Sequence, residues 1–261
     1  MNLSQKLRKI HKIFFSEVSH VVNFVKEIDT RLINKIKTAA PPDFTKADGA
    51  ELEKLINIFK KTIDGKIKKR AHFRLHSRKL ADLILNLIVP AQQKRFLAEM
   101  SLSYLISYQE AFLKDYLKAI LCDRRFLLKS KKTLSYEEVC SYNSIDSLVS
   151  NLAQREVDSL GFGSIDDFAD YYKKKFNIAF QELKGYSKLR EANYRRNLII
   201  HNRSITNELY CKKIGYKKLA QHLLTEVSYV ILVGNLILRF VDFIHRMMLK
   251  KLALEKSSST G

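Results

Sequence analysis

The residues best equipped for chemistry are packed into Arg195-Arg196-Asn197-Leu198-Ile199-Ile200-His201-Asn202. Two arginines, two amides and a histidine stand within about two helical turns, around an apolar Leu198-Ile199-Ile200 stripe. Arginine keeps its charge at any physiological pH and grips phosphate oxygens, and histidine is the side chain that moves protons near neutral pH. Together they suit metal-free cutting of a phosphodiester, in which one group holds the phosphate while another transfers the proton. On a helix Asn197 and His201 are four residues apart and share a face. Arg196 and His201 are five apart and diverge by about 140°. Helical spacing alone makes no site, but a cleft between two helices or two subunits could receive both side chains. The same spacing also suits a histidine that is simply packed and hydrogen-bonded.

A helix must carry this segment, and the surrounding chain reads as all-α. Only eight glycines and three prolines occur in 261 residues, 46% of which are hydrophobic. Long stretches without breakers carry apolar residues at intervals of three and four. Residues 3–37 read as one amphipathic helix, with Leu7, Ile10, Phe14, Val18, Val21, Val25, Ile28 and Leu32 recurring along it. Ala39-Ala40-Pro41-Pro42-Asp43 breaks it, and Thr45 can cap a second helical region bearing Leu52, Leu55, Ile56 and Phe59. Gly65 bends or interrupts that region, helix resumes to Val89, and Pro90 marks a boundary. The expected organisation is therefore an N-terminal helical module at 1–89, a helical domain at 91–255 and a flexible tail at 256–261. Within the second part, helices are expected over roughly 91–122, 145–159, 164–183 and 186–204. Ser164 with Asp167 forms a capping box at the start of the third of these. A last long helix is expected from just after Gly215 to about 252. No internal repeat stands out.

Charge points to the class of partner. The formal net charge is +20, which favours polyanions: nucleic acid or an anionic membrane surface. Nine lysines and arginines face one acid, Asp64, between Lys60 and Lys79, and a second basic cluster holds Arg124, Arg125, Lys129, Lys131 and Lys132. Such clusters attract phosphates whatever the base sequence, and each also serves as an ordinary solvated helix face. Tyr171-Tyr172 before Lys173-Lys174-Lys175 suits either base stacking or core packing, the second being the commoner use. Glu110 with Lys114 at i+4 reads as an ion pair or as a carboxylate behind an active site. The three cysteines, Cys122, Cys140 and Cys211, show no paired spacing, which argues against a disulfide framework or a zinc site and suits a reducing cytosol. MNLSQKLRKIHK has charges among its apolar residues and does not read as a signal peptide. Val227 to Leu238 is apolar but shorter than the roughly 20 residues a bilayer span requires, so a core helix is expected there.

The segment RRNLIIHN resembles the signature of HEPN domains, α-helical ribonuclease and RNA-binding domains whose motif is an arginine, often followed by asparagine, and a histidine after four to six intervening residues. Arg196, Asn197 and His201 match it, and only Arg196 of the two arginines is followed directly by asparagine. The likeness extends to YLISYQEAFLKDYLKAILC at 104–122, similar to the first long helix of the RiboL-PSP and MAE-type branch. It continues through 156–180 as middle helices and REANYRRNLIIHNRSITNELY at 190–210 as the motif helix, covering roughly residues 95–250. Some members carry a tyrosine two residues after the histidine, where this chain has Arg203.

The resemblance implies a HEPN-like helical bundle with an N-terminal helical extension, and a metal-independent endoribonuclease acting as a homodimer. In such enzymes the substrate 2′-hydroxyl attacks the adjacent phosphate, leaving a 2′,3′-cyclic phosphate. It implies His201 as proton carrier, Arg196 as phosphate holder and Asn197 as the group that orients them, with no metal or other cofactor. Arg195 and Asn202, flanking the motif, and the basic run with Lys68, Lys69 and Arg70 are the expected RNA contacts. The family association suggests a cytoplasmic toxin or antiphage effector with an antitoxin or defence-system partner. The alternative is a HEPN module that binds RNA or protein without cutting. A different class, a basic helical protein on an anionic membrane, is kept open by the amphipathic helix at 3–37.

Overall fold

A computed structural model describes residues 2–38, 45–63, 75–128, 133–161 and 164–258. In chain order its helices are α1 (Leu3–Thr38), α2 (Lys46–Ile63), α3 (Arg78–Asp123), α4 (Tyr136–Cys140), α5 (Ile145–Gly161), α6 (Ile165–Phe176), α7 (Tyr186–Asn202), α8 (Glu208–Ile214) and α9 (Val227–Ser258). Short 3₁₀ turns at Arg125–Leu128 and Phe180–Glu182 join some of them. Among the described residues the extended pairing is limited to one bridge, Ile205 with His222. The all-α expectation holds.

Three boundaries differ from the sequence reading. Pro90 does not end a helix: it is a buried residue inside α3. An interior proline forfeits one backbone hydrogen bond at a cost of about 3 kcal/mol. The 46-residue α3 contains no glycine and no second proline, so its other turns close normally. The division at 89/91 is corrected accordingly. One compact unit comprises residues 1–25 and 98–261, and the other comprises 26–97. The first unit takes the chain's beginning because Leu3, Leu7, Phe14, Val18, Val22 and Val25 are buried in the same core as α3 from Ala98 onward. Thus the apolar stripe that would have suited a membrane surface is used in packing. In the second unit Lys94 pairs with Asp29 at 2.9 Å, and the Glu51 carboxylate accepts the His76 and Ser77 backbone N–H groups ahead of α3.

The last helix starts at Val227, not just after Gly215. Residues 216–226 cannot be helical because their backbone is used elsewhere: Thr206 N–H donates to the Gln221 carbonyl, Ala220 N–H to Thr206 and Leu223 N–H to Ser204. At its other end α9 reaches Ser258, into the stretch expected to be a flexible tail. By length and composition Val227–Ala253 is apolar enough to cross a membrane. Half of its most apolar window is buried, with Val230, Val233, Ile237, Phe240, Val241 and Ile244 in the core of the larger unit. Gly234 lets α1 and α9 approach closely, since a Cβ there would lie 2.3 Å from Val22 Cγ2.

Polar groups are buried where α1, α3 and α9 meet. Tyr116, fully buried, hydrogen-bonds His245 Nδ1 at 2.8 Å. The His245 ring stacks on His11 with centroids 4.3 Å apart, and His11 Nε2 is 3.5 Å from Asp242, which also pairs with Arg246. Burial pushes the Tyr116 hydroxyl up, so it keeps its proton and donates it. Burial pushes His245 down to about 4, with the His11 and Arg8 charges acting in the same direction against Asp242. His11 is lowered too, by burial, against the pull of Asp242.

A histidine depressed in the folded state binds its proton mainly in the unfolded state, so stability falls as pH falls from about 6.5 towards 4. The expected loss across that window is on the order of 1–3 kcal/mol. Thermal melts of wild type should show it, and the double variant Tyr116→Phe/His245→Phe should flatten the slope. An unchanged slope would place the pH dependence elsewhere.

Candidate active site

α7 owes its ends to backbone geometry. Gly185 precedes it with φ +96°, a left-handed conformation that glycine adopts without strain, and a Cβ there would sit 2.7 Å from Leu236 Cδ2. At the far end Arg203 and Ser204 are both left-handed, with φ 51° and 62°, and Ser204 N–H donates to the Leu198 carbonyl at 3.0 Å. The helix therefore stops directly after His201 and Asn202. The segment 204–206 is then bonded to 220–223, so the end of α7 is fixed to a folded strap.

Polar contacts place α7 against α3 in opposite directions. Asn193 approaches Gln109, Arg196 meets Ser107, and Ser204 donates to Glu99. The Arg196 guanidinium is held at two points: Nη2 donates to Ser107 Oγ at 3.0 Å and Nη1 to Asn197 Oδ1 at 3.0 Å. Its Nε is shielded and unpaired. Glu110, one turn beyond Ser107 on α3, is pushed up by burial, with the charges of Arg196 and Lys114 opposing that shift. Asn197 and His201 are exposed. Neither the Asn197 amide nitrogen nor the His201 ring has a hydrogen-bond partner among the described residues. One half-buried, fixed cation is thus bonded to an exposed amide, and an exposed imidazole stands five residues further along the same helix. Such a set can bind a phosphate and exchange a proton with it.

The flanking residues are used differently. Arg195 points about 100° around α7 from Arg196, where its Nε donates to Glu191 at 2.8 Å and Nη1 to the Leu224 carbonyl at 3.1 Å. Its guanidinium lies 4.4 Å from the Tyr229 ring centroid. Glu191 also accepts the Tyr210 hydroxyl at 2.6 Å and the Tyr229 hydroxyl. Burial works to raise the Glu191 carboxyl, but Arg195 and the two hydroxyls outweigh it and hold it below its ordinary range. Asn202 donates to the Ile205 carbonyl in the closing turn. Arg195 and Asn202, the expected RNA contacts beside the motif, both satisfy groups within the fold. Tyr172 is fully buried and Tyr171 packs against the core, so neither is presented for base stacking. Lys68, Lys69 and Arg70 lie outside the described residues.

Ser107 is the site residue that the sequence reading missed, while Glu110, read there as an ion pair or a carboxylate behind an active site, lies one turn beyond it and feels the charge of Arg196. The signal for Ser107 was its polar character three residues before Glu110 within the apolar run of α3. Among the described residues no group of three His, Cys, Asp or Glu side chains is placed to hold a metal ion.

No protein-family model, curated protein or solved structure matches the chain. The likeness to HEPN domains therefore rests on the chain's own residues, chiefly Arg196, Asn197 and His201.

The two neighbouring arginines should behave oppositely. Arg195→Ala leaves Glu191 buried without its cation and should cost about 3 kcal/mol or more in urea unfolding. Arg196→Ala removes contacts to Ser107 and Asn197 at the surface and should stay within about 1 kcal/mol of wild type. Equal losses would mean that Arg196 is also structural.

Proposed function

We propose that the chain is a metal-independent endoribonuclease of the HEPN type. The observation that carries this reading is the Arg196 guanidinium, fixed by Ser107 and Asn197 on the helix that also carries an exposed His201. Arg196 binds a non-bridging oxygen of the scissile phosphate and meets the charge that grows in the transition state. The ribose 2′-hydroxyl loses its proton and attacks phosphorus. The bond to the 5′-oxygen breaks, and that oxygen receives a proton. The products are a 2′,3′-cyclic phosphate and a 5′-hydroxyl. His201 performs one of the two proton transfers, and Asn197 orients the backbone through its free amide.

One histidine serves one transfer at a time, and Arg196 and His201 diverge by about 140° around α7. Both points favour a cleft shared by two copies, in which the second copy's motif completes the set. The net charge of +20 supplies affinity for RNA independent of sequence. A cytoplasmic toxin or antiphage effector, held in check by an antitoxin or defence-system partner, fits such an enzyme. The same divergence also favours a second reading, a HEPN module that binds RNA or protein without cutting. It applies if the two copies never bring Arg196 and His201 together.

Purified protein incubated with mixed RNA in EDTA should release fragments ending in 2′,3′-cyclic phosphate. His201→Ala and Arg196→Ala should each reduce the rate by about a hundredfold or more. Cutting that survives both substitutions would overturn the assignment, and intact RNA with wild type would favour the non-cutting module.

Light scattering at micromolar concentration should report twice the chain mass of 30.4 kDa. A fully active monomer would contradict the shared cleft.

A further inference from the structure

Cutting by 2′-hydroxyl attack needs two proton transfers at one phosphorus. A neutral group takes the proton of the 2′-hydroxyl while a protonated group delivers one to the departing 5′-oxygen. One imidazole cannot be neutral and protonated in the same step, so His201 leaves one transfer without a carrier. The fold brings a second histidine to the end of α7. There the Ile205 N–H donates to the Asn202 carbonyl at 2.9 Å, closing a tight turn whose two central residues, Arg203 and Ser204, are left-handed. Ile205 is bridged antiparallel to His222 of the strap. Bonds from Thr206 N–H to the Gln221 carbonyl at 2.9 Å and from Leu223 N–H to the Ser204 carbonyl at 2.8 Å lock the bridge on both sides. One Cα step, one tight turn and one bridged pair separate His201 from His222, which sets their Cα atoms at most about 16 Å apart. Imidazoles extended from both then leave room for one phosphodiester between them.

The strap turns His222 outward. Side chains alternate along such a ribbon: Leu223 packs on the cluster of Tyr194, Leu198 and Tyr210, while His222 and Ile205 are exposed. Leu198 is three residues before His201 and neighbours it on α7, so the strap passes beside the face that carries His201. Among the described residues the His222 ring, like that of His201, has no hydrogen-bond partner. His11 and His245 differ, being stacked on each other in the core with His245 bonded to Tyr116. Arg203, exposed in the turn between the two outward histidines, adds a cation at the same place.

We propose that His222 is the second proton carrier of the reaction. One of His201 and His222 takes the proton of the 2′-hydroxyl, and the other gives its proton to the 5′-oxygen. The bond from the 2′-oxygen to phosphorus forms as the bond to the 5′-oxygen breaks. One ring gains a proton while the other loses one, so the protein's charge is unchanged, and exchange with water resets both rings. The assignment rests on the RNA-cutting reading and deepens it. A second copy is then needed to bring an Arg196 to the cleft, not to supply another histidine.

The test is the rate of RNA cleavage by the full chain in EDTA, followed from about pH 5 to about pH 9, where wild type should give a bell-shaped profile. His222→Ala and His201→Ala should each lower the rate by about a hundredfold or more. Each should keep a single limb of the bell, and the two should keep opposite limbs. A histidine acting as base is used neutral, so its loss removes the rise on the acid side. A histidine acting as acid is used protonated, so its loss removes the fall on the alkaline side. His222→Gln, which keeps a polar side chain on the ribbon, should lose the same limb as His222→Ala, and both should melt with wild type. His20→Ala, an exposed histidine on α1, should cut as wild type does. Normal cutting by the His222 variants, the same limb lost on replacing either histidine, or a slower rate with both limbs intact would overturn the assignment and leave the RNA-cutting reading in place. RNA left intact by wild type would overturn both.

Discussion

A buried carboxylate decides which way α7 faces. Glu191 cannot be left in the interior without partners, because an unpaired charge there costs several kcal/mol. It is met by Arg195 from one turn further along the same helix, by Tyr210 of α8 and by Tyr229 of α9. Those bonds join three helices at one point and set the rotation of α7 about its axis. With Arg195 turned towards Tyr229, the next residue is carried about 100° around the helix. Arg196 then meets Ser107 of α3, and Asn197 and His201 reach the surface. The fates of two adjacent arginines, one structural and one available, follow from that single anchor.

Fixed ends complete the placement. The left-handed pair Arg203 and Ser204 stops α7 after the histidine, and the strap at 216–226 is bonded to the residues that follow. At the start, Gly185 lays the entering turn on Leu236. The close approach at Gly234 brings α9 against α1 and so joins the chain's beginning to the core around α3. A helix held at both ends and along one side presents its remaining face with little freedom. Arg196 is fixed in place, since Ser107 and Asn197 hold its outer nitrogens.

The buried histidines show another side of the same packing. Tyr116, His245 and His11 fill a junction of three helices with aromatic rings while using one another's polar atoms. Tyr116 needs an acceptor and His245 supplies it only when neutral, so this part of the core is built for neutral pH. His201 differs: it stands exposed, outside any such network. Histidine at a helix junction and histidine at a helix end look alike as letters, and environment alone separates them.

Much of the architecture was legible in the chain. The scarcity of glycine and proline, and apolar residues at threes and fours, determined an all-α fold and placed α1, α5 and α7 to within a few residues. The type and spacing of Arg196, Asn197 and His201 determined where to look for chemistry, because helical periodicity is a local property of the backbone. Distant partners decided the rest. Pro90 sits within α3, since the remaining hydrogen bonds of a long helix outweigh one lost. Residues 216–226 are not helical, since their backbone bonds go to 204–206. The use of Arg195 inside the fold was settled by Glu191 and Tyr229, and Ser107 joined the site only when α3 came alongside α7. Sequence by itself determined the helical class, several of the helices and the motif. Tertiary structure decided which side chains are used inside the fold and which are left for a ligand, because that choice depends on burial and on partners many residues away.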